Sequence, residues 1–245
     1  MSSPFFLLAR IDEDSYQVIK ENNYQYPQKA ASLIKVFYAL EVLRRLEEGL
    51  IKDQPIKITS DAVSDYGTNI LVDLMGDQNE VWLNIQTLVG LMVKYSCNSS
   101  TDILLKNCLP EVGQLNEIAK NVWDLKTLKM DNQNKLVSLD DLAKLFIAIF
   151  GSNPKLKKYN QFLKEKLKTS RNIYYLFDQL EVKVLGSKSG TLQKDNAYFI
   201  NDSGVIEING KVYFIGVMIS DLKISVAVIK ARQIGKDLVE SLKSH

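Results

Sequence analysis

The stretch Ser32-Leu33-Ile34-Lys35 stands where a polar loop turns into a hydrophobic helix. The segment before it, Glu21 to Lys29, is polar and broken by Pro27. After it, apolar residues recur at Val36, Phe37, Leu40, Leu43 and Leu46, the spacing of one helix face, and Gly49 is placed as a stop. A helix is therefore predicted from Ser32 to Glu48. Positions three apart share a face, so the Ser32 hydroxyl and the Lys35 amine are expected one turn from each other. The serine also meets first-turn N–H groups, which are unpaired and carry the positive end of the helix dipole. A hydroxyl is inert at its free pKa and needs a neighbouring base, which a partly desolvated lysine supplies. The chain has few other bases. Its one histidine is His245, at the last position, where order is least expected, so a Ser-His-Asp relay and a histidine-built metal site are excluded.

The same spacing occurs at Ser152-Asn153-Pro154-Lys155 and Ser220-Asp221-Leu222-Lys223. Pro154 reads as loop, because proline is poorly tolerated inside a helix, and the second copy follows a strand-like run. Only Ser32 opens a long amphipathic helix. Taken alone, the tetrad also fits a plain serine N-cap with a solvated lysine.

At 245 residues, 46% hydrophobic and 24% charged, the chain is long enough for a full core. A net charge of +2 with no lysine or arginine block gives no reason to expect nucleic acid. No apolar run approaches the roughly 20 residues of a membrane span. The start, MSSPFFLLAR, lacks a basic n-region and a cleavage site, so the chain is either cytoplasmic or carries its export segment outside this sequence. Cys97 and Cys108 bracket a predicted helix, Ser99 to Asn107, which would hold them about 15 Å apart. Disulfide geometry wants the two Cα atoms within about 7 Å, so both read as free thiols. No metal or organic cofactor is implied. The oligomeric state is left open, with a monomer as the default.

Phe5 to Ile11 and Tyr16 to Ile19 read as strands around the turn Asp12-Glu13-Asp14. Lys52 to Gly67 reads as irregular. A helical middle follows: Ile70 to Met75, Ile85 to Lys94, Ser99 to Asn107, Val112 to Val122, Leu139 to Phe150 and Tyr159 to Leu167. Val182 to Gly190, Ala197 to Ile208 and Lys211 to Ser220 read as strands, the last two joined by the hairpin signal Asn209-Gly210. Val226 to Leu242 returns to helical spacing. The expected fold is α+β: an antiparallel sheet flanked by terminal helices, plus an inserted all-α lobe. As domains, 1–245 forms one unit, with an α/β lobe at about 1–50 and 180–245 and an all-α lobe at about 51–179.

Two further motifs bear on chemistry. Tyr95-Ser96-Cys97-Asn98 lies between two helices, where a hydroxyl and an amide can project into a cleft. It also reads as an N-cap, and a Ser-x-Asn pattern recurs at Ser170-Arg171-Asn172. Lys188-Ser189-Gly190-Thr191 sits on a predicted strand. Its lysine and serine could hold a carboxylate, and its glycine allows close backbone approach. An edge strand with a protective lysine and a bulge glycine would look the same.

Ser-x-x-Lys opening a helix, then Ser-x-Asn 64 residues on, then Lys-Ser-Gly 92 residues after that, resembles the penicillin-recognising serine enzymes. The text around the motifs is similar to the class A β-lactamase branch, notably Ala31 to Lys35, Leu43 to Gly49 and Ser96 to Leu105, and the likeness runs from Phe5 to the last helix. The resemblance implies Ser32 as the acylated nucleophile, Lys35 as its base and Ser96 as the proton relay to the leaving nitrogen. It implies Asn98 on the substrate's side-chain amide, and Lys188 as positive potential beside Ser96. Ser189 and Thr191 then contact the carboxylate, Gly190 lets the ligand approach the strand, the backbone N–H groups of Ser32 and Thr191 form the oxyanion hole, and Tyr66 stands at the cleft rim. A β-lactam or a peptidoglycan stem peptide is the implied partner, and an exported location (periplasmic or extracellular) the implied compartment.

Two departures from the family matter. Cys97 stands where aspartate is usual. The segment Leu128 to Leu136 is short and holds no glutamate where the family carries one on the deacylating water; Asp131 and Asn134 are the only stand-ins. The expectation is rapid acylation and slow release, as in a DD-peptidase-like penicillin-binding protein. The alternatives are a competent β-lactamase with a non-standard deacylating group, a β-lactam sensor module and a catalytically silent scaffold.

Overall fold

Alternation of apolar side chains along the strands divides the interior of this protein in two. The computed structural model describes residues 3–63, 66–131, 133–170, 175–194 and 196–243. Asn132, Arg171, Asn172 and His245, which enter the sequence reading, lie outside the described residues. The elements run β1 (Phe5–Asp12), β2 (Ser15–Asn22), β3 (Gln28–Lys29), α1 (Ile34–Glu47), β4 (Ile56–Thr59), α2 (Ile70–Met75), β5 (Glu80–Leu83), α3 (Ile85–Lys94), α4 (Asn98–Cys108), α5 (Val112–Asn121), β6 (Lys129–Met130), β7 (Lys135–Val137), α6 (Leu139–Phe150), α7 (Asn160–Lys168), β8 (Lys183–Lys194), β9 (Ala197–Ile208), β10 (Lys211–Asp221) and α8 (Ile224–Lys243). The main sheet is antiparallel in the order β2-β1-β10-β9-β8. Asn209 and Gly210 join β9 to β10 with φ of 51° and 73°, the left-handed pair that a two-residue hairpin requires.

On β1 and β10, Leu7, Ala9, Phe214 and Met218 enter the larger core, while Leu8, Ile215, Val217 and Ile219 point the other way. That second set packs against Ala227, Ala231, Leu238 and Val239, so α8 covers one face of the sheet. On the opposite face α6 crosses β1, β10 and β9, and α7 lies on β8. Each fully buried leucine or isoleucine in these layers contributes roughly 1.5–3 kcal/mol.

The first helix, expected as amphipathic, is enclosed by other helices. Every residue from Ile34 to Leu43 is buried, and α1 packs against α3, α4 and α6. A helix buried on all sides needs neighbours on all sides and partners for its polar side chains. Its buried Glu41 is held by the Arg44 fork at 2.7 and 2.8 Å and by Trp123 Nε1 at 3.0 Å.

The segment expected as irregular, Lys52 to Gly67, contains β4, which pairs with β5. The stretch 51–179, expected as all-α, holds four short strands besides its helices, and β6 and β7 form a hairpin that joins β3. Strands of two to four residues are too short to show a period. Cys97 and Cys108, just before and at the end of α4, are free and buried.

Candidate active site

Ser32 lies in a 3-10 turn, Ala31–Leu33, that leads into α1, rather than on the α-helix itself. Ala31 takes a φ of 47°, a left-handed conformation that costs a non-glycine residue about 1 kcal/mol. Three neighbours hold the turn there. Ala30 N donates to Lys135 O on β7 at 2.7 Å, Asn201 Nδ2 donates to Lys29 O at 2.7 Å, and the edge strand β8 runs alongside. Contact with β8 is close at Gly190, where a Cβ would lie 2.6 Å from Ser32 N and 3.0 Å from Ala31 Cβ. Only glycine lets the strand pass.

Ser32 is half-buried at the junction of two cavities. One, of about 280 Å3, is walled by Ser96, Ser189, Gly190, Thr191 and Tyr175. The other, of about 460 Å3, opens past Lys35 and Tyr38 toward the β6–β7 hairpin. Asn98 lines both.

The Lys35 amine donates to Ser96 O at 2.6 Å, Asn98 Oδ1 at 2.8 Å and Ser96 Oγ at 3.3 Å. Among the described residues these are its partners, and Ser32 Oγ is not one of them. Burial pushes the Lys35 pKa down to about 8, and the Lys135 ammonium pushes the same way, against Cys97 and Asp102. Lys188, wholly buried on β8, donates to Ser96 Oγ at 3.1 Å and to Ser189 O at 2.8 Å. Burial, and then Lys35, holds its pKa well below the usual lysine range. One hydroxyl oxygen thus accepts from two lysines, which leaves its own proton for a third partner.

The corner that presents Ser96 is built locally. Ser96 has a φ of 56°, which turns the chain between α3 and α4. Cys97 Sγ accepts from Ser100 N at 3.5 Å and so caps α4. Asn98 N donates to Thr68 O at 3.0 Å, and Asn98 Nδ2 to Tyr66 O at 3.3 Å. Tyr66, 56% exposed, stands at the rim with its hydroxyl on Asp102 Oδ2 at 2.9 Å. Of the residues singled out in the sequence, Lys35, Ser96, Asn98 and Lys188 are joined by hydrogen bonds, and Ser32, Tyr66, Ser189, Gly190 and Thr191 line the cavities beside them.

Two residues of this cluster escape a reading of the sequence. Tyr175, buried before β8, places its hydroxyl 2.7 Å from Thr191 Oγ1. Its backbone N and that of Leu176 both donate to Asp202 Oδ2 at 2.9 Å. Asp202 is fully buried on β9, and burial raises its pKa to about 7. The available signal was an acid at the middle of a predicted strand. Tyr175 has no such signal, because the chain before β8 has no period.

The hairpin side of the site is built differently. Asp131 is exposed, and its Oδ1 accepts from Gln133 N at 2.7 Å and Asn134 N at 2.6 Å. Those two N–H groups hold its pKa below the ordinary carboxylate value. Lys194 Nζ reaches Gln133 O at 3.1 Å and Asn134 Oδ1 at 3.2 Å. Among the described residues no cluster of three histidine, cysteine, aspartate or glutamate side chains could hold a metal ion, and no helix is long and apolar enough to cross a membrane.

Comparison with known proteins bears on the fold and the family. No curated protein matches the sequence. A class A β-lactamase from Bacteroides cellulosilyticus is similar in fold, with a TM-score of 0.84 and 21% identity over 99% of this chain and 92% of that one. A β-lactamase from Chitinophaga pinensis gives 0.83 and 19% over 97% and 93%. A point mutant of PBP-A, in an acyl-enzyme complex with penicillin G, gives 0.78 and 15% over 99% and 91%. The family model described as the beta-lactamase enzyme family matches residues 8–242. With that match over nearly its whole length, the chain belongs to the beta-lactamase enzyme family, whose members are serine hydrolases that work through an acyl-enzyme.

Proposed function

We propose that the protein is acylated at Ser32 by β-lactams and by D-alanyl-D-alanine peptides, and that it releases the acyl group slowly. Ser32 Oγ attacks the lactam carbonyl carbon, the carbon–nitrogen bond breaks, and the serine proton travels through Lys35 and Ser96 Oγ to the ring nitrogen. With a β-lactam both halves stay on the enzyme, so the adduct carries the whole mass of the drug. The backbone N–H groups of Ser32 and Thr191 hold the developing oxyanion, and losing one such donor costs roughly 3 kcal/mol of barrier. Asn98 receives the side-chain amide, and Ser189 and Thr191 the carboxylate.

One observation carries the acylation half: Ser96 Oγ lies between two buried amines, at 3.3 Å from Lys35 and 3.1 Å from Lys188. Burial disfavours charge on both amines, which is what a proton relay near neutral pH requires. Slow release is supported by Asp131. A carboxylate that accepts two backbone N–H groups of its own turn, with its pKa lowered, is a weak base toward water. Burst kinetics with nitrocefin test both halves together. The expected trace is about one equivalent of ring-opened, enzyme-bound chromophore formed per protein, followed by a much slower steady rate; a linear trace with no burst would contradict the reading.

A competent β-lactamase is the second reading, because Asp131 does line the cavity with Ser32. Sustained nitrocefin turnover that disappears in Asp131→Ala would establish it. A sensor module would show the same burst, and a silent scaffold no difference between the native protein and Ser32→Ala.

A further inference from the structure

The cavity on the hairpin side of Ser32 is lined by Lys29, Lys35, Lys135 and Lys194 against two acids, Asp102 and Asp131. Both acids are already engaged. Asp102 accepts from the Tyr66 hydroxyl, and Asp131 caps the hairpin turn. Two of the lysines are not matched by acid. Among the described residues Lys135 forms no ion pair and has only the face of Tyr38, with its nitrogen 5.8 Å from the ring centroid. Lys194 is fixed by two uncharged acceptors, Gln133 O and Asn134 Oδ1, so its full charge stands on the wall. The closeness of this wall to the reacting groups is visible in the opposition of the Lys135 ammonium to protonation of Lys35. Cation excess in a concave wall focuses potential on whatever group enters.

Asn98 sets the direction of the substrate. It lines both cavities, as does Thr191, whereas Ser189 lines only the smaller one; with the substrate carboxylate at Ser189, the acyl side chain whose amide Asn98 receives extends into the other cavity, the lysine-lined one. We infer that Lys135 and Lys194 select acyl donors that carry a carboxylate on the acyl side chain. The inference rests on the acyl-enzyme reading above and deepens it by naming the substrate class.

Benzylpenicillin and carbenicillin are a matched pair for the test, since they differ by one carboxylate on the acyl side chain. Their second-order rates of adduct formation are to be measured by mass spectrometry at low and at about 0.5 M salt. At low salt carbenicillin is expected to react about 5-fold faster for each ammonium engaged, and the advantage to shrink as salt screens it. In the double variant Lys135→Gln, Lys194→Gln the ratio falls to about one, and in Lys194→Glu, which keeps Lys135, it falls below the native ratio. The salt titration needs no variant and stands if either variant fails to fold. Equal or slower reaction of carbenicillin in the native protein at low salt would overturn the inference, as would a ratio that survives the double variant. Should benzylpenicillin react normally without any preference, the selectivity alone fails. If neither drug forms an adduct, the acyl-enzyme reading beneath it fails too.

Discussion

The two walls of the cleft at Ser32 differ in how they are made. The β8 wall belongs to the interior: Lys188, Ser189, Asp202 and Tyr175 are buried, and each polar group named there is fixed by strand pairing or a neighbour within 3.1 Å. The hairpin wall is surface: Asp131, Gln133 and Lys135 are exposed, and the Asp131 carboxylate serves its own turn. The buried amine of Lys188 on the first wall, like that of Lys35 at the base of the cleft, cannot be charged without cost, so both are suited to move protons. A carboxylate on the second is solvated and hydrogen-bonded, so it takes protons poorly. The contrast separates the two halves of an acyl-transfer cycle: attack uses groups set in the core, whereas hydrolysis would have to use groups on a turn.

Substitutions sharpen that contrast, beginning with the largest effect. Ser32→Ala is expected to abolish the covalent adduct, since no other oxygen replaces Oγ; mass spectrometry after penicillin checks it. Gly190→Ala places a methyl 2.6 Å from Ser32 N, which must push β8 off the turn. A shift approaching 1 Å costs on the order of 100-fold in acylation rate, with thermal unfolding confirming that the variant is folded. The pH profile comes next. If neutral Lys35 is the base, acylation rises about tenfold per pH unit below its pKa and levels off above about 8. Removing the Lys135 ammonium lets Lys35 hold its proton more tightly, so in Lys135→Gln the inflection moves to higher pH. Tyr175→Phe deletes the bond to Thr191 Oγ1, a loss of about 1 kcal/mol or roughly 5-fold in acylation rate. The smallest effect belongs to the hairpin wall: Asp131→Ala is expected to leave the adduct lifetime within about 2-fold, and a 100-fold change would erase the distinction between the walls.

Sequence legibility followed period and length. α3 and α6 stand where their apolar spacing puts them, because ten or more residues of a steady period leave one reading, and β9 where its β-branched and aromatic residues and the Asn209-Gly210 turn put it. β3, β6 and β7 have two or three residues each and are created by tertiary pairing, so no local pattern announces them. The start of α1 shifted for a different reason. Ala31 in a left-handed conformation makes a 3-10 turn first, and that conformation is imposed by β8 and β7 packing around it. The Ser-x-x-Lys, Ser-x-Asn and Lys-Ser-Gly residues were visible as a set of three, whereas the bonds among them were not. One-turn spacing predicted Lys35 beside Ser32, but its amine is drawn to Ser96 and Asn98 by acceptors 61 and 63 residues away. Tyr175 and Asp202 act across 27 residues, through a segment without pattern and a strand whose mid-strand acid was the only sign.

Intact-protein mass spectrometry over time, after a single addition of benzylpenicillin at pH 7.5, tests the central claim most directly. An adduct equal to the mass of the drug, formed within seconds and persisting for minutes, is the predicted result. Complete hydrolysis of the penicillin with no adduct at any time would contradict it.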